Sequence, residues 1–203
     1  MSEKQKKNNV KSLLFILVLG SISTMLLLGL KNYTLPIIQR NEEVNLKTTV
    51  LEAAGVLCKE HELDSVFQKS IQKLESQGFT YYISPEKNYI FIFEGRGLWG
   101  MIKGVITLRP DLETIESVRI VAQEETPGLG GRISEEGFLN QFRRKKAAPH
   151  LVVTLRKKAS ERNEIDAISG ASMTTQVLID MINDSIASFR IVIKNDRKKR
   201  LKG

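Results

Sequence analysis

The chain has 203 residues, 41% of them apolar, and a single cysteine, which excludes a collagen-like or disordered chain, an internal disulfide and a thiolate zinc site within one chain. The formal charge of +8 sits at the ends: residues 1–11 carry +3 and residues 189–203 carry +6, leaving 12–188 at −1. A nearly neutral body with basic ends is a poor nucleic-acid binder and points instead to topology, membrane-surface contact or solvation.

Ser12 to Leu30 is a run of nineteen residues without a charge, about 28 Å long as a helix and close to the hydrocarbon thickness of a bilayer. It exceeds the h-region of a signal peptide, and no A-x-A-like site follows it. Lys4, Lys6, Lys7 and Lys11 precede the run, whereas Lys31 and Arg40 beyond it are balanced by Glu42 and Glu43. The positive-inside bias places the N-terminus in the cytoplasm and the body outside. The expected organisation is a basic cytoplasmic segment (1–11), a transmembrane helix (12–30), an extracytoplasmic domain (31–193) and a basic, disordered tail (194–203).

Helical spacing of Val50, Leu51, Ala54, Leu57 and Cys58 predicts a helix over 42–58, with Cys58 as a small core residue. A 3-4 stripe of Leu63, Val66, Phe67, Ile71 and Leu74 predicts a second helix, with Gly78 as its C-cap. Phe79–Ile83 and Tyr89–Phe93 read as a β-hairpin, and Met101–Leu108 and Ile115–Val121 as two further strands. Ser134 would cap a short helix bearing Phe138, Leu139 and Phe142; Leu151–Leu155 reads as strand, and 172–189 as an amphipathic helix. The order implies an α+β fold: one domain with a largely antiparallel sheet and flanking helices. His61 and His150 are isolated and read as surface or satisfied histidines, so no metal site is expected.

Three stretches are rich in glycine. Gly95-Arg96-Gly97-Leu98-Trp99-Gly100 matches G-x-G-x-x-G, but dinucleotide binding needs a helix next, and Met101–Leu108 reads as strand. The match is therefore a turn that would set Leu98 and Trp99 against neighbouring structure. Glu125-Thr126-Pro127-Gly128-Leu129-Gly130-Gly131-Arg132 specifies a fixed loop able to approach a flat or anionic ligand, or else a plain turn. Asp166-Ala167-Ile168-Ser169-Gly170-Ala171-Ser172-Met173-Thr174-Thr175 places hydroxyls and small residues before the last helix, where backbone amides favour a phosphate; ordinary capping by Ser169 or Ser172 is the ligand-free alternative.

Taken in order, the anchor, GLWGMIKG, ETPGLG and DAISGAS resemble the FMN-binding domain family, whose members serve in the sodium-translocating NADH:quinone oxidoreductase and in the Rnf complex. The resemblance runs over residues 10–190. It implies FMN held covalently through a phosphoester that a separate flavin transferase installs, with Ser172 as the acceptor where relatives usually carry threonine, and Thr174 as the fallback. Asp166, Ser169, Gly170 and Ala171 match the transferase motif. Thr126 and Leu129, set by Gly128 and Gly130, would contact the flavin ring; Trp99 would contact it or else lie in the core, and Arg156, Lys157 and Lys158 would face its anion or else form a solvated charge run.

The implied role is a single-pass inner-membrane electron carrier, its body on the periplasmic side, working with other subunits of a membrane redox complex and no nucleic acid. It would serve as a redox subunit of a sodium-translocating complex, and the chain by itself would have no turnover with NADH and quinone. Competing readings are the ferredoxin-linked Rnf protein and a non-redox, membrane-anchored interaction module.

Overall fold

The computed structural model describes residues 3–155 and 158–200. The chain divides into two units, residues 1–44 and 45–203. Helix α1 (Glu3–Ala53) supplies the first unit and the opening of the second. In the first unit Leu13 to Leu30 carries large apolar side chains that are all exposed, and α1 is long and apolar enough to cross a membrane by length and composition.

The second unit is built on an antiparallel meander, β1 (Gln72–Ser76), β2 (Phe79–Ile83), β3 (Tyr89–Arg96), β4 (Met101–Leu108) and β5 (Ile115–Gln123), in the order β1-β2-β3-β4-β5. Alternation sorts the side chains onto two faces. Tyr81, Phe91, Phe93, Ile102, Ile106 and Leu108 point to the main core, where they meet α4 (Ser172–Arg200) through Leu178, Ile182, Ile186 and Phe189. Tyr82, Ile90 and Val105 are buried on the opposite face, where Phe67 of α2 (Leu63–Ser70) packs edge-on against Tyr82 at 5.8 Å and the Thr107 hydroxyl donates to the Ala53 carbonyl at 3.3 Å. A short helix α3 (Glu136–Leu139), followed by a tight turn at Asn140–Phe142, buries Phe138, Leu139 and Phe142 in the main core, as expected.

The α+β class with its antiparallel sheet is as read from the sequence; five of its details are corrected. Helix α1 stops at Ala53, because Gly55 takes φ +74° and closes the end with bonds from the Gly55 amide to Glu52 O and from the Val56 amide to Leu51 O. Cys58 therefore lies beyond the helix and is half-buried rather than in its core. The stripe expected as one helix ends at Ser70, and Gln72–Ser76 becomes a fifth strand paired with β2. Gln77 and Gly78, both with positive φ, form the two-residue turn of that hairpin, so Gly78 is a turn residue and no helix cap.

Ser134 caps nothing: its hydroxyl donates to Gly131 O at 2.7 Å. Strand β6 (Val152–Thr154) pairs in parallel with β7 (Glu164–Asp166), a strand too short to show a period. Finally, α4 continues to Arg200 where a disordered tail was expected from Lys194. Val192 and Ile193 extend its buried stripe, and Asp196 accepts a hydrogen bond from the Ser76 hydroxyl at 2.6 Å.

Phe189 is the centre of the core. It stacks on Phe91 at 4.2 Å and meets Phe79, Tyr81 and Tyr89 at 5.5–5.9 Å. Phe189→Ala is expected to destabilise the chain by about 3–5 kcal/mol, measured by urea denaturation in detergent.

In the β4–β5 turn, burial pushes the Asp111 carboxyl up, but bonds from the Thr114 hydroxyl and amide, the Glu113 amide and Lys146 prevail and hold it well below the usual carboxylate range. A depressed folded pKa gives stability that is present at neutral pH and is lost on acidification through about pH 4 and below. Replacing Asp111 with Asn should flatten that acid limb of the stability profile, as melts between neutral and acidic pH would record.

Candidate flavin site

The site is assembled where the β3–β4 loop, the loop after β5 and the entry to α4 converge. Thr126-Pro127-Gly128-Leu129 is a β-turn with proline second and Gly128 third at φ +74°; the Thr126 carbonyl accepts from the Leu129 amide at 3.2 Å and the Gly131 amide at 3.0 Å. Gly170, at φ +81°, bends the chain into α4, and a Cβ there would lie 3.4 Å from the Leu129 side chain. The second and third glycine-rich stretches thus lie side by side.

Ser172 is the first residue of α4 and exposed, as are Ser169, Gly170 and Met173. The amides of a helix's first turn lack intrahelical acceptors, so those of Ser172, Met173 and Thr174 are free donors at the end of α4 that carries the Ser172 hydroxyl. This donor set and its exposure fit a phosphate ester of FMN. Capping by Ser169 or Ser172 is not what holds the turn. Thr175, fully buried, donates to Ala171 O at 2.9 Å and accepts from the Ile168 amide at 3.2 Å. Ala171 is buried beneath it.

Thr174 is unlike Ser172. It is 2% exposed, and its hydroxyl donates to Glu125 Oε2 at 2.9 Å. A phosphoester there would need both burial and hydrogen bond to be broken. Asp166 is engaged by other elements: its Oδ1 accepts from the Thr154 hydroxyl at 3.0 Å and from the Ala159 amide, and its backbone is clamped by Gln141. Arg156 and Lys157 lie outside the described residues, and Lys158 is exposed.

The Gly95–Gly100 stretch is the end of β3 and a turn, Gly97–Gly100, followed directly by β4, so it lacks the helix that dinucleotide binding needs. It does not press Trp99 against the body, however. Trp99 is 71% exposed, with Leu98, Leu129 and Met173 also exposed around the site. The residue that sequence reading missed is Glu125, buried at 4% exposure between Trp99 and Thr174. Its signal was an acidic residue opening a glycine-proline loop, which composition treats as solvated.

The segment that supplies the Trp99 loop, the Leu129 turn and Ser172, residues 97–187, matches the model of the FMN-binding domain. The resemblance read from the motifs is borne out, and with it FMN as the cofactor. One protein of the Na(+)-translocating NADH-quinone reductase from Pasteurella multocida is 40% identical over 88 residues, 41% of this chain and 34% of that protein. One from the Na(+)-translocating ferredoxin:NAD(+) oxidoreductase complex of Acetobacterium woodii is 26% identical over 179 residues, covering 75% of this chain and 79% of that one. The crystal structure of the Na(+)-translocating NADH-quinone reductase protein from Parabacteroides distasonis shares the fold at TM-score 0.64 and 23% identity, over 75% of this chain and 93% of that chain. The chain spans about a third of the length of the relative from Pasteurella multocida (34%).

Gly130 faces the buried pair: a Cβ there would lie 2.5 Å from Glu125 Oε2 and 2.9 Å from the Thr174 hydroxyl. Gly130→Ala should cost about 1–3 kcal/mol, whereas Gly137→Ala, facing open space in α3, should leave the midpoint within about 0.5 kcal/mol in the same urea titration.

Proposed function

We propose that this chain is a membrane-anchored electron-transfer protein with FMN on Ser172 through a phosphoester, within an ion-translocating redox complex that couples NADH and quinone chemistry to sodium export. The carrying observation is the contrast between two hydroxyls two residues apart, Ser172 exposed at a helix start and Thr174 buried and bonded to Glu125. The amides of the first turn would hold the phosphate, and Leu129, Thr126 and Trp99 would bound the ring. FMN supplies the redox chemistry when bound; the chain supplies attachment and exclusion of wrong poses.

Attachment forms an Oγ–P bond on Ser172 and breaks the phosphoanhydride of an activated flavin donor on a flavin transferase; the other half of the anhydride leaves as a free phosphate monoester, and the seryl proton passes to a base of the transferase. Residues 12–30 anchor the body to the inner membrane, with the basic N-terminus cytoplasmic and residues 31–193 on the periplasmic side. Partners are the other subunits of the complex.

A second reading, the corresponding member of a ferredoxin-linked complex, draws on the Acetobacterium woodii relative, which is matched over 79% of its length. Neighbouring genes separate the two: one encoding a 2Fe–2S and FAD protein supports the quinone reductase, one encoding a multi-cluster ferredoxin-like protein supports the alternative.

The test of attachment is flavin fluorescence in a denaturing gel after co-expression with a flavin transferase. The wild type and Thr174→Ala should give a fluorescent band, and Ser172→Ala should be dark. A dark wild type, beside a threonine-bearing control that fluoresces, would sink the assignment.

A further inference from the structure

Glu125 spends both carboxylate oxygens on two different loops. Oε1 accepts the Trp99 amide at 2.9 Å and Oε2 accepts the Thr174 hydroxyl at 2.9 Å, while its own amide donates to the Gln123 side chain at 2.7 Å. Among the described residues no lysine or arginine pairs with it. Burying a carboxylate without a cation is costly unless hydrogen bonds hold it, so the two donors are what keep it in place.

Two glycines clear the space it occupies. A Cβ on Gly97 would collide with Oε1, and one on Gly130 would sit 2.5 Å from Oε2. The first glycine belongs to the G-x-G-x-x-G stretch that binds no dinucleotide, the second to the Thr-Pro-Gly-Leu-Gly loop. One buried carboxylate accounts for glycine in both.

We infer that Glu125 is a positioning residue: it latches the Trp99 loop to the first turn of α4, so that Trp99 and the Ser172 hydroxyl share one rigid frame. The part concerning flavin rests on Ser172 as the acceptor; the latch itself does not. Ser172 lies two residues before the Thr174 hydroxyl that Glu125 holds, and Trp99 is tied to the other oxygen of the same carboxylate. A flavin ester at Ser172 would therefore have its ring beside an indole whose backbone is fixed to the same frame.

Trp99 is the only tryptophan of the chain, so its emission reports the loop directly. In the flavin-free full-length chain in detergent, Glu125→Ala should lower the indole anisotropy and raise its quenching by acrylamide. Glu125→Gln should restore both, since its carbonyl still accepts from the Trp99 amide and its amide can donate to the Thr174 oxygen. Thr174→Val should fall between them. Anisotropy and quenching in Glu125→Ala equal to wild type would overturn the latch.

If Glu125→Ala does not fold, the remaining pair decides: wild-type behaviour of Glu125→Gln with a loosened Thr174→Val supports the latch, and two wild-type-like variants overturn it. In the flavinylated chain, Trp99 emission should be quenched in wild type and Glu125→Gln and recover in Glu125→Ala, at equal fluorescence of the denatured bands. A dark wild-type band would count against Ser172 while the flavin-free anisotropy still decides the latch.

Discussion

A helix can present its first turn at a fixed place only if its later turns are held, and in this fold that constraint governs everything else. Helix α4 is seated by Leu178, Ile182, Ile186 and Phe189 against the meander, with Phe189 among four aromatic rings of β2 and β3. Polar clamps reinforce the seat: Asn183 exchanges two bonds with the Leu151 backbone, and Arg190 donates to Leu112 O at 2.8 Å. The burial of α4 sets where Ser172 stands relative to the loops at the end of β3, β4 and β5.

On that seat the loops add precision with short-range means. The Thr126 turn fixes Leu129 beside Gly170, and Thr175 bolts the bend before α4 without using any exposed hydroxyl. The division of labour among hydroxyls is informative. Those that are buried, Thr174 and Thr175, are consumed by structure, whereas Ser169 and Ser172 are left at the surface. Of the Ser172 and Thr174 hydroxyls, the first alone is accessible, because Thr174 is both buried and bonded to Glu125.

The fold class and most of the sheet were legible because β2 to β5 have strong alternation and clear turns, and the site motif was legible because small residues and hydroxyls cluster before an apolar helix. What misled was local ambiguity that only pairing resolves. Residues 71–76 fit a helical stripe as well as a strand, and the free edge of β2 decided between them. Positive φ at Gly78 serves a helix end or a tight turn equally well. The run from Lys194 reads as solvated until Val192, Ile193 and Asp196 are seen continuing the packed face.

Glu125 escaped for a different reason: sequence shows charge but not where desolvation is compensated. An acidic residue in a glycine-rich loop looks like solvent-facing punctuation, yet here its neighbours' missing side chains make the chamber it fills. Glycine in such loops is usually read as making room for a ligand. At Gly97 and Gly130 it makes room for the protein's own carboxylate, and at Gly128 and Gly170 the positive φ shapes the loop and the bend into α4. The two roles are complementary, because a surface left open for a flat cofactor keeps its shape only if something beneath it is rigid. A single charged side chain with both oxygens engaged ties the Trp99 loop to the start of α4, which a hydrophobic residue of the same size cannot do: it would have no acceptor for the Trp99 amide or the Thr174 hydroxyl.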